Sequence, residues 1–227
     1  MRPAAIVTDI EGTTSSIAFV HDVLFPYSRA RLADFVAAHP REVAPILDAV
    51  RAETGEALDD QGCVARLIQW HDADRKIGPL KQLQGLIWAE GYARRDFTGH
   101  VHADAAQALR RWHGAGIALY VYSSGSVAAQ KLLFGWSDHG DLTPLFAGHF
   151  DTGIGAKREA GSYRAIAAAL GLDPADILFL SDTPEELAAA REAGLAVTLL
   201  AREGVLATSD YPVATSFADI AAMEGIA

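Results

Sequence analysis

The chain has 227 residues, half of them hydrophobic and 21% charged, a composition typical of a globular protein with a substantial buried core. Its formal net charge of −10 argues against general binding to nucleic acid or to anionic membranes, because both require a positive surface. No apolar run approaches the roughly 20 residues that span a bilayer, and the segment MRPAAIVTD lacks the long apolar region of a signal peptide. We therefore expect a cytoplasmic protein that binds neither nucleic acid nor membrane.

The first predicted element is a buried strand, AAIVTDI from residue 4, and acidic residues mark its end. Asp9 and Glu11 flank Ile10, and Gly12 follows them. Burying one unpaired charge is costly, and burying two like charges costs more. A helix N-cap role would explain Asp9 alone. A cation between the two carboxylates explains both, so we expect one there.

The next segment, residues 16–95, carries helical patterns. Four stretches place apolar residues on one helix face with charges opposite: RARLADFVAAH from 29, VAPILDAVRAET from 43, CVARLIQWHD from 63 and LKQLQGLIWAEGY from 80. We predict a helical domain inserted directly after the first strand. Cys63 is the single cysteine of the chain, which excludes an internal disulfide and a cysteine-based metal cluster. We expect it to lie half-buried on a helix.

The second half of the chain alternates strands and helices. Three further buried strands are predicted: IALYVYS from 117, ILFLSD from 177 and LAVTLLA from 195. Each is apolar on both faces, as in strands that helices cover on both sides. In GSYRAIAAALG, apolar residues recur at i, i+3, i+4 and i+7 from Tyr163, and Gly171 ends the helix. The fold class is therefore α/β, with a Rossmann-like, doubly wound parallel sheet.

Polar residues follow three of the four predicted strands: Asp9 with Glu11, Ser123 with Ser124, and Ser181 with Asp182. Ligands bind outside the carboxyl ends of strands in open α/β sheets, so these residues are expected to converge on one site. Asp9 and Asp182 supply the hard oxygen ligands that Mg²⁺ takes together with water and substrate phosphate. For Asp182, a role as cap of the helix that SDTPEE begins is an equal alternative.

The turn YSSGS at 122–126 presents hydroxyls, backbone N–H groups and a helix N-terminus, which suit a phosphate. Lys157 follows the glycine-rich segment DTGIGA, where its ammonium balances phosphate charge, although a lone lysine is more often a surface residue. Two histidine groups, His100 with His102 and His71 with Asp72 and Asp74, have no third ligand nearby of the kind that zinc requires. Structural or surface roles are favoured for them.

Asp9, a serine at the second strand end, Lys157 and Asp182 together resemble the four signature motifs of haloacid-dehalogenase-like phosphatases. That superfamily most often carries a second Asp two residues after the nucleophile, where this chain has Glu11 within DIEGTT. With FVHDVLFPYSR, LQGLIWAEGY, YSSGSVAAQKLLFG, GDLTPLFAGHFDTGIGAKREAGSY and FLSD, the chain closely resembles the enolase-phosphatase family of methionine salvage over essentially its whole length.

This resemblance implies a bifunctional monomeric enzyme with one Mg²⁺ per subunit. It would enolise 2,3-diketo-5-methylthiopentyl-1-phosphate and then dephosphorylate it to the acireductone. It also implies a haloacid-dehalogenase-like core, residues 1–15 and 96–227, and a helical cap at 16–95 that excludes water and selects the substrate.

The resemblance assigns roles to single residues as well. Asp9 matches the nucleophile and a metal ligand, and Glu11 matches the acid/base residue, with its backbone carbonyl contributing to the metal site. Asp182 matches the distal metal ligand. The remaining matches are to substrate-binding residues: Ser123, Ser124 and Lys157, of which Lys157 is also catalytic. The role of Glu186 stays open, and so does the enolisation base, for which Glu11, Lys157 and a cap residue are candidates.

Other functions remain as alternatives. The nearest is a generic small-metabolite phosphatase of the same fold without the enolase activity. A phosphomutase would need a second phosphate site, for which no additional basic cluster is evident, and a dehalogenase would need no metal. A catalytically inactive binding module is disfavoured because the Asp9, Ser123, Lys157 and Asp182 set is intact.

Overall fold

The structure is a computed structural model that describes residues 2–202 and 209–225. It contains six strands: β1 (Ala5–Thr8), β2 (Ala118–Tyr122), β3 (Gly148–Phe150), β4 (Ile177–Ser181), β5 (Ala196–Leu200) and β6 (Val213–Ala214). They form one sheet in the order β3-β2-β1-β4-β5-β6, and every pair is parallel. The predicted α/β fold class is confirmed.

The four helical stretches predicted for the insertion and the helix predicted in GSYRAIAAALG are present among the helices of the structure. The helices are α1 (Ile17–Phe19), α2 (Phe25–Ala38), α3 (Pro40–Thr54), α4 (Asp60–Asp72), α5 (Gly78–Arg94), α6 (Ala103–Gly114), α7 (Val127–Gly135), α8 (Ala160–Leu170), α9 (Pro184–Glu192) and α10 (Phe217–Glu224). A π-helical turn, Val20–Leu24, joins the first two. Gly171 ends α8 with a left-handed φ of +66°, as the sequence predicts. No helix in the described ranges combines the length and the apolar character of a membrane span.

The chain forms two compact units, one made of Met1–Ile17 with Thr98–Ala227 and the other of Ala18–Phe97. The first unit contains the whole sheet, and a core of buried side chains from β1, β4, α8 and α9 lies on one face of it. The second unit is helical, and α2 to α5 enclose a separate core. The cap role of the helical segment remains a prediction.

Two details differ from the sequence-based expectations. Strands β3 and β6 were not predicted, because they have only three and two residues and carry no strand pattern of their own. Cys63 lies on α4, as expected, but it is fully buried in the helical core rather than half-buried. Its thiol donates to the Leu47 carbonyl at 3.7 Å.

Candidate active site

The turn after β1 is fixed by hydrogen bonds to its own backbone and to β4. The Asp9 N–H donates to the Leu180 carbonyl at 2.9 Å, which extends the pairing of β1 with β4 by one residue. The Thr14 hydroxyl donates back to the Asp9 carbonyl at 3.1 Å. The Asp9 side chain is 7% exposed, so the sheet holds a carboxylate in a nearly water-free position.

Lys157 lies between two buried acids, Asp9 and Glu186. Its Nζ lies 2.6 Å from Asp9 Oδ1 and 2.7 Å from Glu186 Oε2, and its side chain is only 10% exposed. The Ser181 hydroxyl donates to Glu186 Oε2 at 3.0 Å. The alternative of a solvated surface lysine is therefore wrong for Lys157. One ammonium faces two buried carboxylates, so its single charge balances only one of them.

The segment before α8 aims Lys157 into the site through three hydroxyl groups that bind backbone carbonyls. The Tyr163 hydroxyl donates to the Lys157 carbonyl at 2.7 Å, and the Tyr122 hydroxyl donates to the Gly155 carbonyl at 2.9 Å. The third, Ser162 Oγ, donates to the Ala156 carbonyl at 2.7 Å. The two tyrosine rings meet edge to face at 5.5 Å, so a packed core, and not a loose loop, positions this lysine.

Asp182 lies against the turn after β1. A Cβ at Gly12, whose φ is +73°, would fall 2.0 Å from Asp182 Oδ2. The Asp182 N–H donates to Thr13 Oγ1 at 3.1 Å. Helix α9 has Thr183 at its N-cap with no side-chain cap hydrogen bond, so Asp182 does not serve as the cap. Glycine at position 12 is needed both for the turn and for the approach of this carboxylate.

Burial and mutual repulsion set the ionisation of these groups. Burial raises the pKa of Asp182, and the nearby Asp9 raises it further. Burial and Asp9 likewise raise the pKa of Glu186, although Lys157 and Ser181 oppose this. Burial opposes the charged form of Lys157, but Asp9 and Glu186 outweigh it and raise its pKa. The site therefore holds more negative charge than one ammonium balances, which favours a further cation.

The donor set fits Mg²⁺. Asp9 and Asp182 provide two carboxylates close enough to repel each other, and magnesium commonly binds one or two carboxylates and completes its octahedron with water and phosphate. No three His, Cys, Asp or Glu side chains in the described ranges form a group that could hold a metal ion. A zinc-type cage is thus not formed by these residues, and two carboxylates are a number that a Mg²⁺ site commonly uses.

Ser123 and Ser124 follow β2, the neighbour of β1 in the sheet. Ser123 is 3% exposed; its N–H donates to the Phe150 carbonyl at 3.2 Å, and its hydroxyl accepts from the Gly125 N–H at 3.1 Å. Buried Gln130 donates through Nε2 to the Gly125 and Phe150 carbonyls at 2.9 and 2.8 Å. The serine turn is thereby fixed, while substrate binding by Ser123 and Ser124, like the acid/base role of half-buried Glu11, stays a prediction.

The histidines bind backbone groups. His100 Nδ1 accepts from the Ser16 N–H at 3.1 Å, and His71 Nε2 lies 3.1 Å from the Phe25 carbonyl oxygen. Residues that the sequence analysis did not single out include Thr13 and Gln130. The run of hydroxyl residues in DIEGTTSS was the only sequence signal for Thr13, and nothing in the sequence distinguished Gln130.

A buried aspartate and lysine at the carboxyl edge of a parallel sheet, with a second aspartate from the next strand, define a hydrolase of the haloacid dehalogenase class. The sequence model of the haloacid dehalogenase-like hydrolases matches residues 3–194. Enolase-phosphatase E1 of Methylococcus capsulatus is 57% identical over 216 residues, which cover 94% of this chain and 95% of that protein. Enolase-phosphatase E1 of Pseudomonas aeruginosa is 57% identical over 223 residues, 97% of this chain and 99% of that protein.

A solved structure is similar as well. The UTR4 protein of Saccharomyces cerevisiae has 34% sequence identity and a TM-score of 0.81, with 94% of this chain and 98% of that chain covered. The chain belongs to the enolase-phosphatase E1 family of haloacid dehalogenase-like hydrolases.

Proposed function

We propose that this protein is the enolase-phosphatase of methionine salvage. It converts 2,3-diketo-5-methylthiopentyl-1-phosphate to the acireductone by enolisation and dephosphorylation. The observation that carries the phosphatase half is the contact of Lys157 with Asp9 at 2.6 Å and with Glu186 at 2.7 Å, at the strand ends where α/β sheets bind ligands. The 57% identity, over nearly the whole chain, to proteins named Enolase-phosphatase E1 supports the enolase half over the generic phosphatase.

Asp9 acts as the nucleophile in this proposal. Its carboxylate attacks phosphorus, the bond from phosphorus to the leaving oxygen breaks, and an aspartyl-phosphate forms. Water then hydrolyses this intermediate, so two easier steps replace one difficult step. Asp9 Oδ1 contacts two donors, Lys157 Nζ at 2.6 Å and the Ile10 N–H at 2.7 Å. These contacts fix the carboxylate plane, and we assign the attack to Oδ2.

Glu11 moves the protons. It protonates the leaving oxygen and then accepts a proton from the attacking water, which is the role of a general acid and base. Ser123, Ser124 and Lys157 bind the phosphoryl oxygens and stabilise the charge that develops on them. Because its two carboxylate partners stabilise the ammonium form of Lys157, this residue suits the role of a cation better than that of the enolisation base. Glu11 is the stronger candidate base within the sheet-containing unit.

Asp9, Asp182 and the backbone carbonyl of Glu11 would hold one Mg²⁺, which supplies positive charge that offsets the carboxylates and polarises the phosphoryl group. Asp182 has one function here, as a ligand. Glu186 holds Lys157 in place and does not contact the phosphoryl group.

The test is to incubate the purified protein with Mg²⁺ and the diketone phosphate. We expect an enol absorbance and free phosphate, both suppressed by EDTA. Phosphate without the enol signal would indicate the generic phosphatase, and neither signal would indicate a binding module. Asp9→Asn should abolish phosphate release, whereas Asp34→Asn, at an exposed position of α2, should not. Release by Asp9→Asn at the original rate would contradict the covalent mechanism.

A further inference from the structure

Arg202, two residues beyond β5, is a nearly buried cation that the proposed mechanism does not use. Its side chain is 15% exposed, and its guanidinium carbon lies 5.4 Å from the centre of the Phe217 ring. Its Nε donates to the Thr13 carbonyl at 2.7 Å. Thr13 is fully buried, so Arg202 binds a part of the turn after β1 that lies inside the protein.

Thr13 is bound on two sides by residues from two other strand ends. Its carbonyl accepts from Arg202, which follows β5, and its hydroxyl accepts from the Asp182 N–H, which follows β4, at 3.1 Å. The residue directly before it is Gly12, against which the Asp182 carboxylate lies. The position of Thr13 thus fixes both the Asp182 backbone and the surface that its carboxylate contacts.

Arg202 is itself held from outside the site. Its NH1 atom lies 3.2 and 3.3 Å from the two carboxylate oxygens of Asp104, near the start of α6. Asp104 Oδ2 also accepts from the Phe217 N–H at 2.8 Å, at the start of α10. Burial raises the pKa of Asp104, but Phe217 and Arg202 outweigh it and hold that pKa below its usual value. A guanidinium with this anchor keeps the orientation of its Nε–H.

We propose that Arg202 is a positioning residue for the metal site: by fixing the Thr13 carbonyl, it holds the Gly12–Thr13 turn where the Asp182 carboxylate can act as a metal ligand. The proposal rests on the proposed function only for the identity of the metal. Partners of metal ligands typically change metal affinity when they are lost, even though they never contact the ion.

The first test measures Mg²⁺ binding to the protein without substrate, by calorimetry, for Arg202→Met and Arg202→Lys. We expect both variants to bind Mg²⁺ about 10-fold more weakly than the parent protein, the lower end of the effect of losing a direct partner of a metal ligand, because Arg202 acts on Asp182 through Thr13. Arg202→Lys keeps a charge beside Asp104 and should recover thermal stability but not metal affinity. If metal affinity instead recovers together with stability, Arg202 is only a structural ion-pair partner and the proposal fails.

The matched control is Arg191→Met. Arg191 also lies over an aromatic ring, that of Tyr211 at 4.6 Å, and donates to a backbone carbonyl, that of Asp210 at 3.3 Å. It is exposed and makes these contacts away from the turn. Its loss should leave Mg²⁺ affinity unchanged. An equal loss of affinity in both variants would overturn the proposal.

A second test reads the turn directly in metal-free protein. Hydrogen exchange at the Asp182 amide should be faster in Arg202→Met than in Arg191→Met, because the acceptor Thr13 is no longer fixed. Thr13→Val, which removes the acceptor hydroxyl, should weaken Mg²⁺ binding, whereas Thr13→Ser, which keeps a hydroxyl, should retain the parent affinity. The double variant Thr13→Val/Arg202→Met should lose less Mg²⁺ affinity than the product of the two single losses. Unchanged exchange, or fully multiplicative losses, would contradict the proposal.

Steady-state kinetics separate this proposal from the proposed function. In Arg202→Met the Mg²⁺ concentration for half-maximal rate should rise, while the substrate KM at saturating Mg²⁺ stays within about twofold. A variant that is merely less folded would lose kcat at an unchanged Mg²⁺ requirement, against the proposal. Failure of the parent protein to act on the diketone phosphate would refute the proposed function. The Mg²⁺ binding and the hydrogen exchange of the Arg202 variants would still decide whether Arg202 positions the metal site.

Discussion

At the scale of single residues, the site buries two acids beside one base, Lys157. Its side chain and that of Glu186 are only 10% and 12% exposed, and Asp9 shares the same ammonium. A buried charge pair is weak evidence for net stability, but removing one partner is strongly destabilising because the other charge is left unpaired. Lys157 thus has a structural role in addition to the catalytic role proposed for it.

Replacing Lys157 with Met should therefore destabilise the protein, by roughly 3–5 kcal/mol at neutral pH. Burial and Asp9 raise the pKa of Glu186, and the variant loses the opposing ammonium. A group whose pKa is raised in the folded state contributes stability that is fully present below its unfolded-state pKa. That stability is lost as pH rises through the folded-state pKa. The deficit should grow as pH rises from 4.5 to 7 in urea unfolding. A deficit that does not change with pH would contradict the charge argument. Adding Glu186→Gln to the Lys157→Met variant should restore part of the stability, because it removes a carboxylate that has lost its cation.

His102 should titrate abnormally. Burial, with help from Arg202 and His100, lowers the pKa of His102 to about 4. Because the folded-state pKa lies below the unfolded value of about 6.5, this residue contributes stability above pH 6.5 that is lost as pH falls towards 4. NMR titration of the ring should give the low pKa, and His102→Gln should flatten the acid limb of the stability profile. A ring that titrates near 6.5 would refute this.

At the scale of elements, the strand ends determine the site. Strands β1 and β4 are adjacent and in register, with Thr8 opposite Leu180, so the turns that follow them meet. The Asp182 carboxylate packs against the Gly12 backbone because Gly12 has no Cβ. The glycine at position 12 therefore determines how closely the Asp182 carboxylate can approach the turn that follows Asp9.

Gly12→Ala should abolish metal-dependent activity. A left-handed φ costs a non-glycine residue roughly 1–2 kcal/mol, and here the new Cβ would also lie 2.0 Å from Asp182 Oδ2. Gly171→Ala is the matched control, because Gly171 has a φ of +66° with nothing within 4 Å of an added Cβ. Both variants should lose stability in thermal unfolding, but only Gly12→Ala should lose phosphate release. Equal activity in the two would show that the contact with Asp182 is irrelevant.

The sequence predicted the elements that are long and strongly patterned. Four buried strands, the helices α2 to α5 and the helix α8 follow from apolar runs and helical spacing. Strands β3 and β6 form because neighbouring strands offer hydrogen-bond partners, which is a tertiary cause. The same holds for the site. A sequence pattern marks Asp9, Lys157 and Asp182, but the contacts of Glu186 with Lys157 and of Arg202 with Thr13 join residues 29 and 189 positions apart, and no local pattern records them.

At the scale of the whole molecule, one helical unit interrupts a complete α/β unit. The chain leaves the sheet-containing unit after Ile17 and returns at Thr98. The segments on either side of that insertion are joined inside the sheet-containing unit, since the Ser16 N–H donates to His100 Nδ1 at 3.1 Å and the His102 N–H donates to the Thr14 carbonyl at 2.9 Å. A short linker can therefore replace the insertion without separating the ends that it joins.

Replacing residues 18–97 with a linker of about six Gly and Ser residues, which spans up to roughly 20 Å, should leave a folded protein. The sheet, its Asp9–Lys157–Glu186 contacts and the core between β4, α8 and α9 all lie outside the deleted segment. We expect cooperative unfolding and Mg²⁺-dependent hydrolysis of p-nitrophenyl phosphate, but loss of enolisation of the diketone phosphate, because lids and caps exclude water and select substrates. Asp9→Asn in the shortened chain is the control for residual hydrolysis. Retention of full diketone activity would show that the helical unit has no part in the reaction, and failure to fold would show that the helical core stabilises the sheet.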